Sequence, residues 1–529
     1  MTAFSLEPAQ LTWCEELRTL AAERLRPLAE KGEPGRVNRP LVAELGSLGL
    51  LSRLFTSGAL DLCLMRESLA YACTEAETAL ALQGLGAHPV HAHGTAAQRA
   101  RWLPRVRDGS AVAAFALSEP AAGSDAAALT LRAEPADRPD APIRPQRHGP
   151  PDADTGPAHR PGEGPATGER GGRSASPGDP PVTGGRAGRA GSPGEGPVSG
   201  ERGPRAGAAG DPPAAGASGG YVGPAAGGPG AGERGGYAGS RSTGDSPDAG
   251  APGAFGGSGV GERGGSDGVS DAASADASVL AARRDGRAGW RLTGEKCWIS
   301  NAPEADFYTV FARTTPDAGA RGVTAFLVPA DRPGLTGTSL DMLSPHPIGA
   351  LTFDAVPVTA DDVLGEPDRG FRVAMGTLNL FRPSVGAFAV GMARAALDAT
   401  LAHTGARDAF GGKLRDLQTV AHQVAEMALR TEAARLMVYA AATAYDEGAP
   451  DVPQRAAMAK LLATETAQYV VDRAVQLHGA RALRRGHLLE HLYREVRAPR
   501  VYEGASEVQR GIIAKELYRK HDADEEAGA

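Results

Sequence analysis

The chain has little of what would mark an exported, metal-binding or nucleic-acid-binding protein. Its four cysteines in 529 residues, Cys14, Cys63, Cys73 and Cys297, show neither CxxC nor CxxH spacing; that excludes a disulfide framework and a zinc site and leaves reduced thiols in the core. A formal net charge of -7 provides no basic footprint for a phosphate backbone, so no nucleic-acid partner is expected. No stretch reads as the roughly 20 apolar residues of a membrane span. Met1 to Gln10 has neither a basic start nor an apolar run, so no membrane span and a cytoplasmic location are expected. There is no GxGxxG after a strand and no GxxxxGK[ST], which excludes the Rossmann and P-loop readings.

What the chain has in excess is glycine and proline. Of 71 glycines and 40 prolines, 39 and 21 fall between Glu134 and Ser278, where Tyr221, Tyr237 and Phe255 are the only aromatics. Gly-Glu-Arg-Gly recurs there at 168–171, 200–203, 232–235 and 261–264 with no apolar face to stack, so the window reads as a disordered surface insertion, not a solenoid. Loop-closure cost rises by only about 0.6 kcal/mol per doubling of length. The ends of such an insertion are expected side by side on one hairpin or turn.

The remaining residues read as α, then β, then α: a helical domain over 1–110, a mainly antiparallel β domain over 111–365 interrupted at 134–278, and a helical bundle over 366–529. Leu17, Leu20, Ala21, Leu25 and Leu28 step along one helix face, with breaks expected at Gly32-Glu-Pro-Gly35 and Gly84-Leu-Gly86. Strands are expected at Ala111–Leu117, Trp290–Leu292, Lys296–Ile299, Phe307–Ala312 and Val323–Val328. Leu417, Val420, Val424, Met427, Thr431, Ala434 and Val438 form a three-heptad seam, and Pro453 and Gly479 start and stop the next helix.

Four segments carry chemistry: Phe115-Ala-Leu-Ser-Glu-Pro-Ala-Ala-Gly-Ser-Asp125, Gly294-Glu-Lys-Cys-Trp-Ile-Ser-Asn301, Arg407-Asp-Ala-Phe-Gly411, and Gln476-Leu-His-Gly479 with Tyr502-Glu-Gly-Ala-Ser-Glu-Val-Gln509. In order and spacing they resemble the signatures of the acyl-CoA dehydrogenases. The resemblance implies an α+β fold with an N-terminal all-α domain, a middle β-barrel-like domain and a C-terminal four-helix bundle. It also implies FAD as cofactor, an acyl-CoA substrate, an electron-transfer flavoprotein as acceptor, and a homotetramer or at least a dimer.

Desaturating a thioester at its α and β carbons requires a base for the α-proton, a hydride acceptor and donors on the carbonyl oxygen. By resemblance, Glu503 is the base. The helical position that carries it in other relatives holds Phe381, just before Arg382. Phe115, Leu117, Ser118, Trp298 and Ser300 are expected around the flavin ring. Arg407, Phe410, Gln476 and Gly479 are expected on the pyrophosphate and adenosine of a neighbour's flavin, and Gly504, Ser506 and Glu507 at the dinucleotide end. Ser124, Arg382 and Tyr502 are expected on the substrate. Gly479-Ala480-Arg481 and Ala505 depart from the family's usual Gly-Gly and Thr. An oxidase or a carrier-protein-linked dehydrogenase of the same fold, or a flavin-bearing DNA-associated scaffold without catalysis, are the alternative readings. His478 reads as structural or close to the cofactor, and His88, His91 and His93 lack a fourth ligand for a metal.

Overall fold

The N-terminal helices form because apolar residues recur every three to four positions. In the computed structural model, which describes residues 6–136 and 289–528, α1 (Pro8–Leu20) continues through a π segment (Ala21–Leu25) into α2 (Arg26–Ala29). Leu17, Ala21 and Leu25 on this run are buried. After α3 (Arg39–Ser47) and α4 (Leu50–Arg53) come α5 (Ala59–Ala72), α6 (Thr74–His93) and α7 (Ala96–Arg107). A capping box starts α7, with Thr95 Oγ1 accepting from the Gln98 amide and Gln98 Oε1 accepting from the Thr95 amide.

Gly84-Leu-Gly86 is not the helix terminus expected from its glycines. It lies inside α6, where the missing side chains allow close approach. A Cβ at Gly84 would sit 2.7 Å from the Phe381 ring, and one at Gly86 would sit 2.6 Å from the Ala114 amide nitrogen. Packing against a helix and a strand at once outweighs the modest helix penalty of glycine.

The β unit is one sheet of eight strands, β1 (Ala113–Ala116), β2 (Arg132–Pro135), β3 (Gly289–Ser300), β4 (Phe307–Arg313), β5 (Val323–Pro329), β6 (Leu335–Ser339), β7 (Ile348–Thr359) and β8 (Val363–Leu364). Its order is β6-β7-β3-β2-β4-β5-β8, with β1 parallel to β4 beside this path. Among the described residues no pairing joins β6 to β8. Residues of β4 alternate between two cores: Phe307 and Phe311 join the helical core, and Tyr308, Val310 and Ala312 the one on the other side of the sheet.

From residue 137 to 288 the expected insertion lies outside the described residues. At its edges β2 and β3 pair antiparallel, Pro135 stands opposite Trp290, and the Ala136 amide donates to the Gly289 carbonyl at 2.9 Å. The flanks are thus adjacent, as a long connection needs. Glu134 and Pro135, placed in the insertion by composition, belong to β2.

The C-terminal part comprises α8 (Gly370–Ala406), a short hairpin of β9 (Asp408–Ala409) and β10 (Gly412–Lys413), α9 (Gln418–Asp446), α10 (Val452–His478), α11 (Leu488–Glu495) and α12 (Ser506–Gly528). On α9 the seam residues Val420, Met427, Thr431, Ala434 and Val438 are buried. Helix α8 packs against α5, α9 and α10, α9 packs against α10, and α12 lies along α10. Helix α8 is long and apolar enough to cross a membrane by length and composition, and 67% of its most apolar window is buried inside the protein, where it packs against other elements. All four cysteines are buried and unpaired.

Candidate active site

Two of the sequence segments are tied together by a buried ion pair. Glu119, in the loop after β1, meets Lys296 of β3 with Nζ 2.8 Å from Oε1, and Lys296 also donates to the Leu117 carbonyl at 2.9 Å. Glu119 accepts further from the amides of Thr130 (2.6 Å) and Leu131 (3.0 Å). Burial lowers the pKa of Lys296 to about 8; that of Glu119 lies below its ordinary value because Lys296 and these amides outweigh its own burial. Both therefore carry charge at neutral pH. Two further bonds knit the strand to β1 and its loop: the Cys297 amide donates to the Ser118 carbonyl at 3.0 Å, and Asn301 Nδ2 donates to the Ala113 carbonyl at 2.9 Å.

These bonds turn Trp298 outward. The β3–β7 register slips between Lys296 and Ile299, and Trp298 takes a left-handed φ of 62° that leaves the indole 54% exposed. A large ring held out of the core by a bulge, against its own backbone preference, is a platform for a planar ligand. Phe115 packs on Phe311 with ring centroids 4.9 Å apart, Leu117 is buried, and Ser118 and Ser300 are partly exposed, so the five expected ring contacts gather around one stretch of β1 and β3. Ser124 is exposed farther along the loop.

Glu503 occupies the turn before α12. Its backbone is left-handed (φ 53°), as is that of Gly504 (φ 96°), and its Oε2 is shielded from solvent with no hydrogen-bond partner. Burial raises its pKa above the ordinary value of 4.5, while Arg66, Lys460 and Arg382, in that order, pull it back. A shielded carboxylate with a free oxygen and a raised pKa can take a proton from carbon. Tyr502 is partly buried beside it, and its phenol is held well above its ordinary pKa by desolvation. Phe381 fills the alternative base position and is 1% exposed. Arg382 is also buried; instead of reaching outward it donates from Nε to the Glu503 carbonyl at 3.2 Å. Ser506 is committed as well, its hydroxyl donating to Glu465 Oε1 at 2.5 Å, whereas Glu507 is exposed.

The structure keeps Arg407, Phe410, Gln476 and Gly479 away from this group. They cluster at the C-terminal ends of α8 and α10, which the stacked rings of His403 and His478, 4.2 Å apart, hold together. At 1.5 Å per residue, Arg407 lies roughly 35–40 Å along α8 from Arg382. Arg407 and Gln476 are exposed, and Phe410, at φ 53°, is 89% exposed. Gly479 ends α10 at φ 66°. His478 is bonded through Nδ1 to the Ala474 carbonyl, and His88 packs on Phe381 with burial lowering its pKa to about 4.

Sequence reasoning passed over Glu119, Lys296, Gln509, Lys460 and the buried Arg66–Glu77 pair, whose guanidinium also donates from Nη1 to Ser384 Oγ at 2.7 Å. The first three stand inside the quoted segments. Lys460 and the pair betray themselves only as charges at core spacing, Lys460 among the buried alanines 456, 457, 459 and 463.

Three family models match in chain order: the N-terminal domain of acyl-CoA dehydrogenase over residues 7–110, its middle domain over 262–356 and its C-terminal domain over 368–518. The chain belongs to the acyl-CoA dehydrogenase family. Its members are FAD-dependent oxidoreductases, and the outward-turned indole suits the planar ring of that cofactor. A probable acyl-CoA dehydrogenase of Mycobacterium tuberculosis is 38% identical over 252 residues, 47% of this chain and 64% of that protein. The mitochondrial short-chain specific acyl-CoA dehydrogenase of Homo sapiens is 39% identical over 250 residues, 47% of this chain and 60% of that protein. Each match thus spans less than two thirds of the relative. The butyryl-CoA dehydrogenase of Megasphaera elsdenii shares the fold, with a TM-score of 0.65, 23% identity, and coverage of 97% of this chain and 99% of that one.

Proposed function

We propose that this acyl-CoA dehydrogenase family member desaturates an acyl-CoA thioester at its α and β carbons, with Glu503 removing the α-proton. The observation that carries the reading is the Glu503 carboxylate, shielded from solvent, without a partner on Oε2, and raised in pKa by burial. FAD, when bound, supplies the hydride acceptor. Trp298, Ser118 and Ser300 would hold its ring, and Tyr502 and Ser124 would border the substrate. Exclusion of water at Glu503 makes its carboxylate more basic than usual, and Arg66, Lys460 and Arg382 temper that rise. The separation of Arg407, Phe410, Gln476 and Gly479 from Glu503 supports their serving a second copy's cofactor, in a homotetramer or dimer, and family membership supports an electron-transfer flavoprotein as the acceptor.

The purified protein should carry FAD and, without oxygen, lose its yellow colour on addition of one or more members of a panel of short, long and branched acyl-CoAs. Protein that retains flavin but is bleached by none of them contradicts the reading. Trp298→Ala should keep the fold, since the indole is already 54% exposed, and weaken flavin retention about fivefold, for loss of a ring contact worth roughly 1 kcal/mol. Flavin fluorescence released on dilution measures this.

A further inference from the structure

Three buried side chains from three helices converge on two consecutive carbonyl groups. Lys460 of α10 donates from Nζ to the Gly504 carbonyl at 2.7 Å. Gln509 of α12 donates from Nε2 to the carbonyls of both Glu503, at 3.1 Å, and Gly504, at 2.9 Å. Arg382 of α8 donates to the Glu503 carbonyl at 3.2 Å. Lys460 and Gln509 are 0% exposed and Arg382 is 5% exposed.

Both carbonyls belong to residues in the left-handed region, which is unfavourable for Glu503 in isolation and held only where surroundings over-determine it. A side chain at Gly504 would collide with Gln509 Nε2, so the glycine and the glutamine fit as a pair. The Gln509 orientation is also fixed: the reversed amide would set its oxygen against two carbonyl oxygens.

We propose that Lys460, Gln509 and Arg382 act as a carbonyl clamp that fixes the Glu503–Gly504 turn and so aims the Glu503 carboxylate at the substrate's α-carbon; they are positioning residues, and the proposal rests on the dehydrogenase reading given above. Alignment of the base within a fraction of an ångström is where much of the rate of such a step originates. Of the clamp, Lys460 and Arg382 also add charge. Glu503 faces Arg66 from α5, Arg382 from α8 and Lys460 from α10. Arg66 is itself held by Glu77 of α6. Lys460 faces, besides Glu503, Arg382, Glu465 and Glu507, and burial lowers its pKa to about 8. Gln509 contributes no charge. Position and electrostatics are therefore separable.

The test uses full-length flavin-loaded protein and two readings: anaerobic flavin reduction by the best acyl-CoA as a function of pH, and hydrogen exchange of the 501–510 peptide followed by mass spectrometry. Gln509→Leu is expected to speed exchange in that peptide at least tenfold while α8 and α10 stay protected. It should slow flavin reduction about 10- to 100-fold and leave the midpoint of the acid limb unmoved. Lys460→Met should do the same and also shift that midpoint to higher pH, because a cation that favours the carboxylate has gone. Lys460→Arg keeps the charge but not the single short bond, so its rate should fall with the midpoint unmoved; it carries the test if Lys460→Met does not fold. Wild-type exchange and rates in both Gln509→Leu and Lys460→Arg would overturn the clamp. Wild-type protein that no acyl-CoA reduces would instead overturn the dehydrogenase reading, and the exchange measurement would still decide the clamp.

Discussion

Glu503→Gln is expected to lower turnover about 10²- to 10⁴-fold, the range a positioned general base contributes, while keeping flavin and fold. The amide preserves shape and removes only the proton acceptor. Burial opposes charge at this position, which is why the pKa lies above 4.5, so the ionised carboxylate is a cost to the folded state at neutral pH. The variant should consequently melt no lower than the wild type. A substitution that abolishes activity and leaves Tm unchanged or higher separates a site residue from a structural one. A Tm several degrees lower, with activity lost in proportion, would mean that Glu503 supports the turn and not the chemistry.

Glu119→Gln has the opposite expected signature. Lys296 is 0% exposed and Glu119 2%, and neutralising one member leaves an uncompensated buried cation, a loss of about 3–5 kcal/mol. Urea unfolding monitored through the tryptophans measures it. The sign with pH follows from the depressed pKa of Glu119: its contribution is complete above its ordinary value of 4.5 and is lost as pH falls through the lower folded value. The gap between wild type and variant should accordingly close in acid. Adding Lys296→Met should recover part of the loss, because the stranded charge has gone. The same pair fixes the loop from Leu117 to Asp125, so flavin should leave the single variant readily. An equal stability for Glu119→Gln and wild type at pH 7 would show that the pair is dispensable.

Much of the architecture was legible because it is written as periodicity. The seam from Val420 to Val438 and the stop at Gly479 follow from helical spacing and from glycine's tolerance of positive φ. The strands β4 and β5 follow from aromatic and β-branched runs. Reading failed where a residue answers to a tertiary neighbour. Gly84 and Gly86 look like breaks along the chain, yet Phe381 and Ala114 require them inside a helix. The apolar character of α8 is spread over 37 residues and interrupted by Arg382 and Arg394, so no unbroken run announced it.

The site divides in the same way. Glu503 and Trp298 were visible through their motifs, but the reason each is exceptional, a shielded oxygen in one case and a bulged left-handed strand residue in the other, resides in backbone conformation. Lys296, Lys460 and Gln509 carry no periodic signal of function; their meaning comes from carbonyls and a carboxylate brought to them by folding. Arg382, expected on substrate, also donates to the carbonyl of Glu503.

The most direct test of the account is the rate of anaerobic flavin reduction by an acyl-CoA across pH, in wild type and Glu503→Gln side by side. Wild type should rise along one limb whose midpoint lies above 4.5, as Glu503 loses its proton, and the variant should remain near zero throughout. A variant reduced at the wild-type rate, or one that retains the limb, would contradict the assignment of Glu503 as the base.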